Sequence, residues 1–175
     1  MKMQARIVLP PDVRQDIDRL RAAWNPERAT SNPAHVTVAY HDEATDPTLL
    51  AERLRLVAAR TVPFRLSFGP AARFPGSAGG AFLTVADSSG GVAAVREALL
   101  APPFTRRERF DLHVTLLHPD QGSRVESAWA AFECLSPVGG FEVTELQLVG
   151  PDNGVLAVFP LTAAEPDGVL SRGDF

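Results

Sequence analysis

Two short stretches carry the chemistry of this 175-residue chain: "HVTV" at His35 to Val38 and "HVTL" at His113 to Leu116, 78 positions apart. With four histidines and ten threonines in the chain, chance supplies roughly 0.2 His-x-Thr triplets when matches to the template are counted. On a strand, successive side chains point to opposite faces, so His35 and Thr37 share one face and Val36 and Val38 the other. His113 and Thr115 stand in the same relation to Val114 and Leu116. Two such strands facing one cleft would surround a small ligand with two imidazoles and two hydroxyls.

That set suits metal-free phosphodiester chemistry. A neutral imidazole takes a proton from an attacking hydroxyl, and a protonated one returns a proton to the leaving oxygen, each for ~10²–10⁴ in rate. Imidazole reaches both states near neutrality. Threonine hydroxyls can donate to the non-bridging oxygens as charge develops at phosphorus. Other chemistries lack their signatures: there is no His-Glu-x-x-His or Cys-x-x-Cys, no Gly-x-Ser-x-Gly elbow, no Walker loop and no dinucleotide fingerprint. No metal or cofactor is expected.

The elements that must position these groups read as a mixture. "ARIVLP" is a buried strand, and Pro10 and Pro11 open a helix with Val13, Ile17, Leu20 and Trp24 at helical spacing. "AHVTVAYH" is a strand after the breaker "TSNP", and a second helix runs from Asp46. "VPFRLSFGPAARFP" gives a strand with Phe64, Leu66 and Phe68 in alternation, a Gly-Pro turn, and a short strand ending at Phe74-Pro75. "AFLTVAD" is a strand, and "SGGVAAVREALLAPP" a helix stopped by two prolines. The second motif lies on "RFDLHVTLLHP", followed by the helix "SRVESAWAAFECL". "GFEVTELQLVG" and "GVLAVFPLT" form a hairpin across Pro151 to Gly154. Turn-joined strands imply antiparallel pairing and an α+β class. Residues 1–162 are expected to form one domain, with 163–175 as a mobile tail.

Composition narrows the field further. The apolar and charged fractions, 45% and 22%, are ordinary for a protein that folds by itself. A formal charge of −4 argues against a surface that tracks long nucleic acid by neutralising many phosphates. The single cysteine, Cys134, can form no internal disulfide and reads as an inert, mostly buried residue. No stretch approaches the ~20 apolar residues of a membrane span, and a cytoplasmic monomer without membrane contact is expected.

The paired His-x-Thr signatures, with "PFRLSFGPAARFP" between them, resemble the 2H phosphoesterase superfamily, in its bacterial 2′-5′ RNA ligase or RNA 2′,3′-cyclic phosphodiesterase branch. The resemblance runs from "ARIVLP" to "VLAVFPL". It implies a bilobal, pseudo-two-fold α+β fold, with antiparallel sheets lining a central cleft and helices outside. It implies His35 and His113 as the catalytic pair and Thr37 and Thr115 as substrate-binding groups. The substrate would be an RNA end with a 2′,3′-cyclic phosphate, or a small cyclic nucleotide, opened to a 2′-phosphate. Reverse joining through a 2′-5′ linkage, and phosphate binding without turnover, are the alternatives. The residues do not assign acid and base between the two histidines.

One departure from the family pattern stands out: relatives often read His-x-Thr-Leu-x-Arg, and here His118 occupies the arginine's place. His118 is therefore a further candidate for substrate contact, with solvation at a strand end as its plain alternative. Phe74 and Phe110 are candidate stacking platforms for a base, against ordinary core packing. "TRRER" at Thr105 to Arg109 could guide an RNA end, and His41 is expected at a strand end, away from the pair.

Overall fold

A computed structural model describes residues 2–76, 79–135 and 139–163. The expected tail beyond Ala163 lies outside the described residues. The chain folds in the order β1 (Gln4–Val8), α1 (Pro11–Trp24), α2 (Pro26–Ser31), β2 (His35–Ala39), α3 (Pro47–Ala58), β3 (Phe64–Arg73), β4 (Ala81–Ala86) and α4 (Gly91–Leu99). It continues with β5 (His113–Leu117), a 3₁₀ turn over Pro119–Arg124, α5 (Val125–Glu133), β6 (Gly140–Val143), β7 (Glu145–Val149) and β8 (Val155–Pro160). All eight strands join one antiparallel sheet in the order β6-β3-β4-β5-β2-β1-β7-β8. The class is α+β, and the expected sheets are joined into one.

The two motif strands are neighbours at the centre of that order, four strands lying in each direction from their junction. A single register pair, Val36 with Val114, joins them. Both valines are fully buried, and the two strands share one burial pattern, in which alternate residues face the core. Leu83 on β4 and Ile7 on β1 extend the apolar face to either side. Against the core pack Leu50 and Leu54 of α3, Val92, Val95 and Leu99 of α4, and Phe132 of α5. The repeated pattern thus commits one face of each motif strand to the hydrophobic core and frees the other.

Three sequence expectations change. "GFEVTELQLVG" is not one strand: it breaks at Thr144, sending β6 to β3 and β7 to β1 and β8, on opposite sides of the strand order. Val143 and Glu145 cannot be more than ~7.6 Å apart at 3.8 Å per Cα step. The sheet must therefore curl until its two sides meet at that residue. The Gly69-Pro70 pair makes no turn; β3 runs through it, with a register shift against β4 between Phe68 and Ala71, the bulge that absorbs a proline without a ladder donor. A short helix, α2, also precedes the first motif, begun by the Asn25 side chain accepting from the Arg28 N–H at 3.1 Å. The hairpin from β7 to β8 forms as expected, with Asn153 at φ 63° supplying the left-handed turn position.

Candidate active site

Counting outward from the Val36–Val114 pair sets Thr115 across from His35 and His113 across from Thr37. Side chains directly across an antiparallel pair lie ~4.5–5.5 Å apart at Cβ. All four groups line one cavity of about 460 Å³. Phe74 and His118 line it too, as do Arg21, Arg28, Asn32, Tyr40 and Arg107.

Each imidazole is fixed in the same way. Nδ1 of His35 lies 2.8 Å from the Pro33 carbonyl oxygen, and Nδ1 of His113 lies 2.8 Å from the Asp111 carbonyl oxygen. A carbonyl only accepts, so Nδ1 carries the hydrogen in both rings, and Nε2 is left as the atom that exchanges protons. The acceptor is two residues upstream each time, the local chain folding back as it enters the strand. Neither "NPAH" nor "FDLH" announces this bond by residue type, because the acceptor is backbone.

The surroundings differ. Burial, aided by the positive charges of Arg6, Arg21 and His113, lowers the His35 pKa from 6.5 to about 4 against the opposing pull of the Pro33 carbonyl. Burial also lowers His113, but its Asp111 carbonyl bond and the Asp111 charge act in the opposite direction. Arg6 is paired in register with Thr37 and is only 1% exposed. It donates to the Asn32 Oδ1 at 2.9 Å and to the Gln147 Oε1 at 3.3 Å, and burial depresses its own pKa. The His35 side is thus the cationic side.

Around His113 the walls are aromatic. Phe74 meets its ring edge-on at 5.4 Å and Phe82 at 5.3 Å, and the two phenyl rings are 4.7 Å apart. Phe82, paired with Thr115, was missed in the sequence; its parity within "AFLTVAD" was the available signal, but nothing named its partner strand. Phe110 goes elsewhere. The Arg96 guanidinium sits 3.4 Å from its ring centroid, Tyr40 packs against it edge-on, and it lines a neighbouring cavity of about 710 Å³.

Below that stack, the buried Glu43 carboxylate binds Arg96 at 2.6 Å and 3.2 Å. It also accepts from the Tyr40 N–H at 3.0 Å and the Arg107 N–H at 2.9 Å. Burial alone would raise its pKa, and the Arg96 and backbone donors hold it below the usual carboxylate range. One carboxylate therefore ties the chain leaving β2 to the chain approaching β5. Of the arginines in "TRRER", Arg107 reaches the cavity wall, ion-paired to Asp42 at 2.9 Å and lying 3.8 Å over the Tyr40 ring.

His118 lies at the cavity with Nδ1 2.9 Å from the Asp120 Oδ1. His41, expected away from the pair, also lines the cavity, two residues beyond the end of β2. Cys134, expected to be buried, is exposed at the end of α5. Among the described residues, no three His, Cys, Asp or Glu side chains converge as metal ligands, and no helix is long and apolar enough to cross a membrane.

A family model for the 2′-5′ RNA ligase superfamily matches residues 9–155. The chain belongs to that superfamily. Its fold is similar to several solved structures. E. coli LigT complexed with NADP+ matches at 21% identity over 93% of this chain and 98% of that one, with a TM-score of 0.59. A structure described as a phosphoesterase matches at 21% identity over 92% and 98%, with a TM-score of 0.60. TT0787 of Thermus thermophilus matches at 17% over 94% and 100%, with a TM-score of 0.58. Among curated proteins no sequence matches.

Proposed function

We propose that this superfamily member is a metal-independent cyclic phosphodiesterase, opening 2′,3′-cyclic phosphates of RNA ends or small nucleotides to 2′-phosphates, as a cytoplasmic monomer. The observation that carries the reading is the matched pair of imidazoles, each with Nδ1 bonded to a carbonyl and Nε2 left for proton exchange, across from two threonines at one cavity.

His35, held neutral by burial and by nearby guanidiniums, is the base. Its Nε2 takes a proton from water as the water oxygen bonds to phosphorus. The bond from phosphorus to the 3′ oxygen breaks, and the His113 Nε2–H protonates that oxygen. Burial lowers the His113 pKa against the opposing pull of Asp111, and the anionic phosphate between the rings favours the protonated form that the acid step needs. Thr37 and Thr115 donate to the non-bridging oxygens. Phe74 and Phe82 give a nucleoside an aromatic surface on the acid side.

The test is hydrolysis of 2′,3′-cyclic nucleotides by chelator-treated protein. His35→Ala and His113→Ala should each lose ~10²–10⁴ in rate while unfolding as cooperatively as the parent. Full activity in either variant, or loss of activity on chelation alone, would overturn the mechanism. Adding a 5′-hydroxyl acceptor to the same assay separates hydrolysis from joining.

A further inference from the structure

The His35 ring takes its orientation from one carbonyl, that of Pro33, which accepts from Nδ1 at 2.8 Å. That carbonyl shares a peptide plane with the Ala34 N–H, and in a trans peptide the two point in opposite directions. The Ala34 N–H donates to Oδ1 of Asp18, on α1, at 2.9 Å. The carboxylate thus stands on one side of the peptide and the imidazole on the other. Fixing the N–H aims the carbonyl.

The preceding peptide is held from the same helix. Arg21, only 5% exposed, donates to the Asn32 carbonyl at 2.9 Å and to the Asp18 Oδ1 at 2.7 Å. Arg14, one turn earlier on α1, pairs with the Asp18 Oδ2 at 3.1 Å. The peptide bonds on both sides of Pro33 are therefore tied to α1, around a residue whose own nitrogen has no hydrogen to donate. Before His113 the backbone is held by the sheet instead: the Leu112 carbonyl accepts from the Val85 N–H, just along β4, at 3.1 Å.

We propose that Asp18 is a positioning residue for the base: through the Pro33–Ala34 peptide it keeps the His35 hydrogen on Nδ1 and leaves Nε2 free to take a proton from water. The inference rests on the cyclic phosphodiesterase reading, in which His35 is the base, and adds to it a residue that is not among those lining the cavity. With the Pro33 carbonyl turned away, the neutral ring can carry its hydrogen on Nε2, and in that tautomer Nε2 accepts nothing.

Two substitutions isolate the hydrogen bond from the charge. Asp18→Ala and Asp18→Asn remove the same charge, but Asn keeps the oxygen to which Ala34 and Arg21 both donate. In Asp18→Ala, kcat on a 2′,3′-cyclic nucleotide should fall ~10- to 10²-fold with KM little changed, the effect of misplacing a group that acts in the transition state. Asp18→Asn should recover most of that loss. Unfolding curves check that the variants fold. Asp18→Glu, which keeps the charge but carries its carboxylate one methylene too far for the Ala34 N–H, should match Asp18→Ala and replaces it if that variant unfolds. Ring-nitrogen NMR of isotope-labelled protein at neutral pH reads the tautomer directly, with the His35 signals identified by their absence from His35→Gln. The parent and Asp18→Asn should show Nδ1–H, and Asp18→Ala a mixture of tautomers. Nδ1–H in all three, or equal kcat in Asp18→Ala and Asp18→Asn, would overturn the proposal. The tautomer is read without substrate, so the expected spectra in a parent that hydrolyses no cyclic nucleotide would support the positioning of His35 and overturn the proposed function instead.

Discussion

His35 and His113 stand on adjacent strands, each followed by Val and Thr, with the same alternation of burial and the same Nδ1 bond two residues upstream. Beyond the strands their settings diverge. His35 has Arg6 and Arg21 close enough to oppose its protonation, whereas His113 has Asp111 to favour it and two phenyl rings around it. The motif determines how an imidazole is presented, and its neighbours determine where the proton rests. Duplicated strands can in this way present two imidazoles in different electrostatic settings.

The sharpest way to break that comparison is to make one proton unnecessary. If His113 is the acid, a cyclic substrate with sulfur in place of the 3′ oxygen should bypass it, because a thiol of pKa ~8.5 leaves without protonation. His113→Ala should then recover much of its ~10²–10⁴ loss, and His35→Ala should recover nothing. Single-turnover rates on the oxygen and sulfur substrates measure both. Recovery in His35→Ala instead would exchange the roles.

A second experiment removes what the two sides share. Glu43 receives the Tyr40 N–H from beyond β2 and the Arg107 N–H from before β5, and its partner Arg96 is likewise buried. Glu43→Gln leaves the Arg96 charge without its counter-charge, and breaking a buried pair in this way costs ~3–5 kcal/mol. Urea unfolding should register that loss as a lower midpoint with little change in slope. A change near zero would mean that the two strand approaches are held by the Val36–Val114 core alone.

How much of this was legible in the residues follows from range. His35 with Thr37, and His113 with Thr115, share a face through alternation within one strand, and the sequence displays that directly. That the two strands adjoin is a contact between residues 36 and 114, which no local pattern encodes. The same limit hid Phe82, whose parity was readable and whose partner Thr115 was not. It also hid Arg21 and Arg28, which only the packing of α1 and α2 brings to the cavity. "GFEVTELQLVG" looked continuous because β-branched and apolar residues run across Thr144; only curling of the sheet separates its halves. Phe110 was judged by residue type, and Arg96 and Tyr40 had already taken its faces.

The asymmetry also has a thermodynamic signature, and its sign can be worked out. His35 in the folded protein titrates at about 4, against 6.5 ordinarily. Between those values the unfolded chain binds the proton and the folded one does not, so stability rises with pH through that window. The contribution is fully present above pH 6.5, falls as the solution is acidified, and is gone below about pH 4. At ~1.4 kcal/mol per pH unit, the gap is worth at most ~3.5 kcal/mol. His113 is displaced in the same direction, with Asp111 pulling against the displacement, so its share should be the smaller. Urea unfolding of the parent, His35→Gln and His113→Gln between pH 4 and 8 isolates the two. The His35→Gln curve should be visibly flatter than the parent's, and the His113→Gln curve should lie between them. Superimposable parent and His35→Gln profiles would show that neither burial nor the guanidiniums beside His35 displace its proton affinity in the fold, and this difference between the two motif strands would disappear.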